Sequence, residues 1–328
     1  MNVSQHFFEV MVVAKSHRGD GVVFLTLARS DGAPLPPFSA GAHIQLRLAD
    51  GLLRQYSLCG DPARRDSYRL AILAARRSRG GGSYIRDSLQ RGDSLWISAP
   101  RNDFPLAERR EPALLLAGGI GITPLLAMAL TLRAQGREFG LHYYGRPDTL
   151  GAFMEQPDYT RLARHIVPHC RDGAAPADAD YQQSLAVVIR DWQRRHGRFS
   201  LYFCGSLPFM QSVRDQCAAA EIPAEACFYE SFTPPEVRGE TTFDVEIFST
   251  GAVIPIPADL SIAEALNQAG VAVEVSCGLG VCGTCLAGVK AGIPDHRDEY
   301  LSAAQKDANN KIMLCCSRAR STRLVIDL

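Results

Sequence analysis

Three cysteines within eleven residues, VSCGLGVCGTC at positions 275–285, constrain this chain more than any other feature. Thiols that dense are cross-linked, hold a metal, or are buried and inert. The spacing is C-x4-C-x2-C, and Cys315 and Cys316 follow at a distance. A zinc site built from paired C-x2-C knuckles is disfavoured, because the first interval is too long and two adjacent cysteines make a poor second knuckle. Two irons sharing a [2Fe–2S] cluster need four thiolates converging on one small volume, and this spacing with a distant fourth cysteine supplies them. Gly278, Gly280 and Gly283 give such a loop backbone positions without side-chain bulk.

The rest of the chain bears on the disulfide reading. It has 328 residues, 46% of them hydrophobic and 21% charged, with a formal net charge of zero. A neutral balance argues against broad nucleic-acid binding and against attachment to an anionic membrane. No run of residues is apolar enough to span a bilayer, and residues 1–20 lack the pattern of a signal peptide. The expected compartment is therefore the cytoplasm, where the ten cysteines stay reduced and metal use outweighs disulfides. Cys59, Cys170, Cys217 and Cys227 are expected to be ordinary buried thiols.

Residues 1–107 read as β-structure. The runs 21–27, 42–48 and 68–73 are short and rich in apolar or β-branched residues, with Asp-Gly and Asp-Pro turns between them. This pattern predicts a small antiparallel barrel. From residue 108 to 233 strands and helices alternate. ALLLA at 113–117 is a strand buried on both faces, a helix follows over 124–132, and further strands run over 140–144 and 199–204. That order implies an open parallel α/β sheet. Residues 173–180 read as a surface loop and 234–241, rich in proline and charge, as a linker. The third domain, 242–328, opens with a strand over 243–248 and a helix over 261–270.

Two glycine-rich stretches add candidate sites. RQYSL (54–58) and RGGGSY (79–84) together suggest a phosphate cradle, with Ser83 capping the helix that follows. AGGIGITPL (117–125) lies between a strand and a helix, where nucleotides bind in α/β sheets, with Thr123 as N-cap and Pro124 as first helical residue. It departs from the dinucleotide G-x-G-x-x-G fingerprint, since Pro124 stands where the third glycine would be.

Residues 275–285, the tail CCSRARSTRLVIDL (315–328) and the segment PDHRD (294–298) resemble the ferredoxin domain of the phthalate dioxygenase reductase and vanillate O-demethylase reductase family. Spacing alone leaves Cys315 and Cys316 open as fourth ligand. The resemblance implies Cys277, Cys282, Cys285 and Cys315 as ligands, in a plant-type, β-grasp ferredoxin domain. PDHRD itself reads as a solvated charged loop with no chemistry. The upstream motifs resemble R-x-Y-S-L, G-G-x-S, G-G-x-G-x-T-P and C-G-x-x-x-x-M of the wider ferredoxin-reductase family.

By that resemblance Arg54, Gly81, Gly82 and Ser83 hold the flavin phosphate. Tyr56, Ser57, Leu58, Ala71 and Leu73 line the flavin, and the domain order implies FMN rather than FAD. Gly118, Gly119, Gly121, Ile122, Thr123, Pro124, Cys204 and Gly205 would shape the nicotinamide site, with Thr123 and Cys204 at the reacting atoms. Glu230 and Phe232 would close the domain beside the flavin. Arg146 would touch the adenosine ribose or be a solvated loop arginine; His142, His165, His169 and His196 are scattered and receive no catalytic role.

The function so implied is electron transfer from NADH through FMN and the cluster, one electron at a time, to a Rieske-type oxygenase acting on an aromatic or similar small substrate. The chain is expected to be a monomer that meets this partner transiently. Two other readings compete: a free-standing NAD(P)H reductase of ferric or quinone compounds, and a zinc-stabilised binding module without redox activity.

Overall fold

Short strands with one or both faces buried build the N-terminal sheet. Its strands are β1 (Phe7–Arg18), β2 (Val22–Ala28), β3 (His43–Arg47), β4 (Leu53–Ser57), β5 (Tyr68–Leu73) and, after helix α1 (Gly81–Asp87), β6 (Ser94–Ser98). The order is β4-β3-β6-β1-β2-β5, all pairs antiparallel. Just past β4 the Cys59 N–H donates to the Arg69 carbonyl of β5 at 2.9 Å, joining the two end strands into a barrel. Its interior is filled by residues such as Val10, Leu25, Ile44, Leu46, Leu70 and Ile97. The computed structural model describes residues 7–328 apart from 20, 49–51, 75–80, 171–178, 233–240, 276–277, 279, 281–282 and 299.

The second part alternates strand and helix: β7 (Ala113–Gly118), α2 (Ile122–Ala134), β8 (Phe139–Gly145), α3 (Pro147–Met154), α4 (Pro157–Leu162), β9 (Ile166–Cys170), α5 (Ala179–His196), β10 (Ser200–Gly205), α6 (Leu207–Ala219) and β11 (Cys227–Ser231). The strands form a parallel sheet in the order β11-β10-β7-β8-β9. Its two central strands are buried throughout, apart from Gly118 at the end of β7, which is why they read as continuous apolar runs. Barrel and sheet share a core, since Val22, Phe24, Ala40, Cys59 and Ala71 of the barrel join the cluster formed by α2 and one sheet face. A partly buried Arg69–Asp158 ion pair at 2.6 Å and an edge-on Phe24–Phe153 contact add to that seam. Met1–Phe232 accordingly forms one compact unit and Thr233–Leu328 another.

The second unit holds β12 (Phe243–Ile247), β13 (Val253–Ile256), α7 (Ile262–Gln268), β14 (Leu286–Ala291), β15 (Pro294–Asp295), α8 (Ala303–Asp307), β16 (Lys311–Met313), β17 (Arg318–Ala319) and β18 (Arg323–Asp327). A mixed sheet, β13-β12-β18-β14-β16, has β12 and β18 parallel and its other pairs antiparallel. One helix, α7, packs its buried residues Ile262, Ala263, Ala265 and Leu266 into the same core as Val245, Ile312 and Ile326. Ser261 caps α7 with a complete capping box to Glu264. This is the expected β-grasp arrangement of a ferredoxin domain.

Several local expectations need correction. Helix α2 begins at Ile122, with Gly121 as N-cap, so Thr123 and Pro124 are its second and third residues. A short 3-10 turn, Gly119–Gly121, leads straight into it, and the Thr123 hydroxyl donates to the Ile120 carbonyl at 3.0 Å instead of capping. Ser83 lies inside α1 and not at its start, because Gly81 and Gly82 already have helical backbone. Cys170 is exposed and Cys227 half-buried, whereas Cys59 and Cys217 are buried as expected. The anticipated loop at 173–180 gives way to α5 by Ala179; its remainder and the expected linker, save residue 241, lie outside the described residues. No helix among the described residues is long and apolar enough to cross a membrane.

Candidate functional site

The parallel sheet runs outward in both directions from β7: β8 and β9 lie on one side, β10 and β11 on the other. The chain therefore reverses its direction of travel between β7 and β10, and loops at their C-terminal ends diverge to leave a crevice. Gly118 ends β7, Gly119–Gly121 follows it and Gly205 ends β10, so both glycine motifs meet at this point. A side chain on Gly121 would lie 2.2 Å from the Cys204 carbonyl oxygen and 2.6 Å from the Gly205 nitrogen. On Gly205 it would lie 2.5 Å from the Phe209 ring, and on Gly118 2.7 Å from the same ring. Phe209, buried near the start of α6, is thus the reason two of these positions must be glycine. Gly119 has open space but a φ of +55°, so there the requirement is conformational.

Beyond the crevice β10 pairs with β11 so that Cys204 lies opposite Glu230 and Tyr202 opposite Phe228. Cys204 is buried, and burial, reinforced by the Glu230 carboxyl, pushes its thiol pKa well above the ordinary value. The Glu230 residue keeps some accessible surface, but its Oε2 is buried with no hydrogen-bond partner among the described residues. Burial, with a smaller contribution from Asp103, pushes its pKa from 4.5 up to about 8. Native Glu230 thus holds a proton that the unfolded chain releases, and folding stability should fall as pH rises between those two values. Glu230→Gln is expected to flatten this fall, which urea unfolding midpoints at the two ends of the window would show.

A second cluster joins β4, β5 and α1. A side chain on Gly81 would lie 2.6 Å from Arg54 Cγ, and one on Gly82 3.2 Å from Ala74 Cα and 3.3 Å from the Leu73 oxygen. The glycine pair therefore lets α1 sit directly on the Arg54 side chain and the end of β5. Arg54 Nη1 donates to the Leu53 carbonyl at 2.8 Å. Tyr56 follows on β4, its phenol pKa raised to about 12 by burial, and Ser57 and Leu58 are buried. Leu73, Ile120 and Phe232 are partly buried against the core that barrel and sheet share, and Ala71 is within it. Ala71, Leu73 and Phe232 thus border the same seam as Ile122 and Cys204, whereas Tyr56 and Leu58 pack with the barrel's own core.

In the second unit Cys285 and Cys315 are buried in its core, and the Leu314 N–H donates to the Cys285 carbonyl at 3.1 Å. Cys277 and Cys282 lie outside the described residues. Gly278, Gly280 and Gly283 have φ of +68°, +75° and +79°, a conformation side chains resist. Cys316 is buried beside Met313 and Ser317, its Sγ 4.0 Å from the Met313 carbonyl and 3.8 Å from the Ser317 hydroxyl. PDHRD is not a solvated loop: Asp298 is 2% exposed and hydrogen-bonded. Its charges are met partly within the stretch, Arg297 on Asp295, and partly by later residues, Ser317 on Asp298 and Arg320 on Asp295, which its composition could not reveal.

Residues 245–320 match the model of the 2Fe-2S iron-sulfur cluster binding domain. The chain is 39% identical to a vanillate O-demethylase oxidoreductase of Pseudomonas sp. strain HR199, over 98% of this chain and 99% of that one. It is 36% identical to the phthalate dioxygenase reductase of Burkholderia cepacia, over 98% of each chain. The chain belongs to this family of reductases. A solved structure of phthalate dioxygenase reductase, described as modular for electron transfer from pyridine nucleotides to [2Fe–2S], superposes with a TM-score of 0.74, 35% identity and 98% coverage of both chains. Like its relatives, this family member is an oxidoreductase with flavin, nicotinamide and [2Fe–2S] modules.

Some features of the sites were not foreseen. Phe209 stands within the C-G-x-x-x-x-M stretch, yet nothing in that string says its ring fills the space above two glycines. The histidines are not all scattered: pairing of β8 with β9 sets His142 Nδ1 2.9 Å from His169 Nε2, and Tyr144 stacks on His169. Burial, with help from His169, lowers the His142 pKa to about 4. His165 stacks on Phe139 and His196 lies against Trp192. Arg146 is exposed just before α3.

Proposed function

We propose that this reductase takes hydride from NADH and delivers the electrons singly to a Rieske-type oxygenase acting on an aromatic or similar small substrate. The supporting observation is the presence, in one chain, of close-packed glycine turns at the sheet's reversal point and a match to the cluster-binding domain at 245–320. A free-standing reductase of ferric or quinone compounds would use the first and have no need of the second. FMN and the [2Fe–2S] cluster, when bound, supply the conversion of an electron pair into single electrons.

The chain's own residues bind and orient. Arg54, Ser83 and the backbone of Gly81 and Gly82 would hold the flavin phosphate, a charge-assisted contact in which the guanidinium carries most of the energy. Tyr56, Ser57, Leu58, Ala71 and Leu73 would wall the ring. Gly118, Gly119, Gly121, Ile122, Thr123, Pro124, Cys204 and Gly205 would let the nicotinamide approach closely, with Thr123 and Cys204 flanking the reacting atoms. Glu230 and Phe232 would close that space against water. Cys277, Cys282, Cys285 and Cys315 would ligate the cluster, leaving Cys316 as the buried neighbour. The domains in this reading are 1–107, 108–233 and 242–328, with a linker at 234–241. The protein works as a cytoplasmic monomer whose contact with the oxygenase is transient.

Arg54→Ala is expected to weaken FMN affinity by about 10- to 100-fold, the worth of one hydrogen bond to a charged group. Released FMN fluorescence measures it, and added FMN should restore turnover. The partner is tested by NADH-dependent reduction of a purified Rieske-type oxygenase. No reduction, together with fast ferric or quinone turnover, would favour the free-standing reductase.

A further inference from the structure

The PDHRD segment at 294–298 is a motif that the proposed function leaves without a task, and its aspartates are bonded on several sides. Asp298 has no exposed side-chain surface. Its Oδ2 accepts from the Leu301 N–H at 2.9 Å, and its Oδ1 accepts from the Ser317 hydroxyl at 3.3 Å. Ser317 in turn accepts from the Arg297 N–H at 3.2 Å. Asp298 also presses on the loop that carries the first cysteines. A side chain on Gly280 would meet its Cα and Cβ at 2.9 Å, and the Cys316 sulfur at 2.4 Å. The Tyr300 N–H donates to the Gly280 carbonyl at 3.0 Å. Asp298 therefore borders both segments that would supply thiolates, packing its Cα and Cβ against Gly280, between Cys277 and Cys282, and bonding its carboxylate to Ser317, two residues after Cys315.

Among the described residues, the titratable groups paired with it are cationic or neutral. Lys306 Nζ hydrogen-bonds the Asp298 carbonyl oxygen and lies 4.0 Å from Oδ2. His296 Nδ1 lies 3.6 Å from Oδ1; that side chain is 9% exposed, and neither ring nitrogen has a hydrogen-bond partner among the described residues. Arg297 turns away to Asp295, at 2.8 Å. A fully buried carboxylate held by two hydrogen bonds, with one ammonium 4.0 Å away, acts on its surroundings through an interior that screens charge less than water does.

We infer that Asp298 is a positioning residue for the cluster, fixing the Gly280 loop against the Cys315–Ser317 turn, and that its buried charge, offset by Lys306, sets the cluster's reduction potential. Adding an electron to a cluster beside a fixed anion costs more than adding it beside a neutral group, and net charge near a cluster is one of the levers on its potential. The inference rests on the assignment of a [2Fe–2S] cluster to this domain.

Spectroelectrochemical titration of the holoenzyme tests it, with iron content and circular dichroism recorded for each variant. Asp298→Asn keeps the shape and removes the charge; its cluster midpoint should become less negative. The reduced-to-oxidised ratio at fixed potential should change at least threefold, about 30 mV for one electron. Lys306→Met leaves the carboxylate and its hydrogen bonds in place and should shift the midpoint the opposite way. The flavin midpoint should stay put in both. Midpoints equal to wild type in both variants, or shifts of the same sign, would overturn the inference while leaving the proposed function standing. If Asp298→Asn does not assemble a cluster, the sign of the Lys306→Met shift still decides. A wild-type protein whose spectrum lacks a [2Fe–2S] cluster would overturn the proposed function and this inference together.

Discussion

Cys285→Ser is expected to remove the [2Fe–2S] cluster and, with it, NADH-driven cytochrome c reduction, while NADH still bleaches the flavin. A serine hydroxyl does not ionise near neutral pH and is too hard a donor to replace a thiolate on iron. Loss of an outer-shell partner already costs about 10- to 100-fold in metal affinity, so loss of a ligand should lower one-electron transfer by more than ~100-fold. Cys285 is 4% exposed in the core of the second unit, beside the strand that leads to Cys315. The hydroxyl would therefore also be buried in apolar surroundings. Iron and sulfide content, the visible spectrum and cytochrome c turnover check the outcome together. Cys315→Ser should behave alike, and Cys316→Ser should keep its cluster, because the Cys316 sulfur already lies against Gly280, Met313 and Ser317. A cluster lost in Cys316→Ser and kept in Cys315→Ser would reverse the choice of fourth ligand.

The parts of this molecule legible in its sequence are those with a local cause. Strands β2, β5 and β7 fall within a residue or so of the runs that predicted them, because burial on one or both faces imposes a period that propensity reinforces. The glycine stretches were legible as close-approach or left-handed positions, but not what approaches them. Gly118 is glycine on account of Phe209, and Gly81 on account of Arg54, contacts between residues dozens apart in the chain. Thr123 shows how a good local rule can lose. As a capping residue it is well chosen, yet the 3-10 turn at Gly119–Gly121 brings Gly121 into αR backbone as the N-cap, so the helix starts earlier and the hydroxyl turns back to Ile120. PDHRD shows the converse: its charges looked solvated because Ser317 and Lys306, which help to bury Asp298, come later in the chain.

Gly121→Val is expected to abolish NADH-dependent flavin reduction and to destabilise the first unit, leaving the second unit's cluster spectrum intact. The added Cβ alone would lie 2.2 Å from the Cys204 oxygen, 2.4 Å from its carbonyl carbon and 2.6 Å from the Gly205 nitrogen. All three are backbone atoms of a buried central strand, so no side chain can swing aside to admit it. Either α2 lifts off the sheet or β10 shifts against β7. Overpacking of this kind costs about 3 kcal/mol at the upper end of its range, enough to show in the urea midpoint. The effect on function should exceed the effect on stability. The β7–β10 junction is the floor of the crevice, and misplacement by about 1 Å can cost on the order of 100-fold in a step that depends on close approach. Gly119→Ala is the control. It has open space around it and only the left-handed φ of +55° to oppose it, a cost of about 1 to 2 kcal/mol. Stopped-flow bleaching of the flavin by NADH, with urea unfolding of both variants, separates strain from blocked approach. If Gly121→Val reduced its flavin at the rate of Gly119→Ala, the crevice between β7 and β10 would not be where the nicotinamide enters.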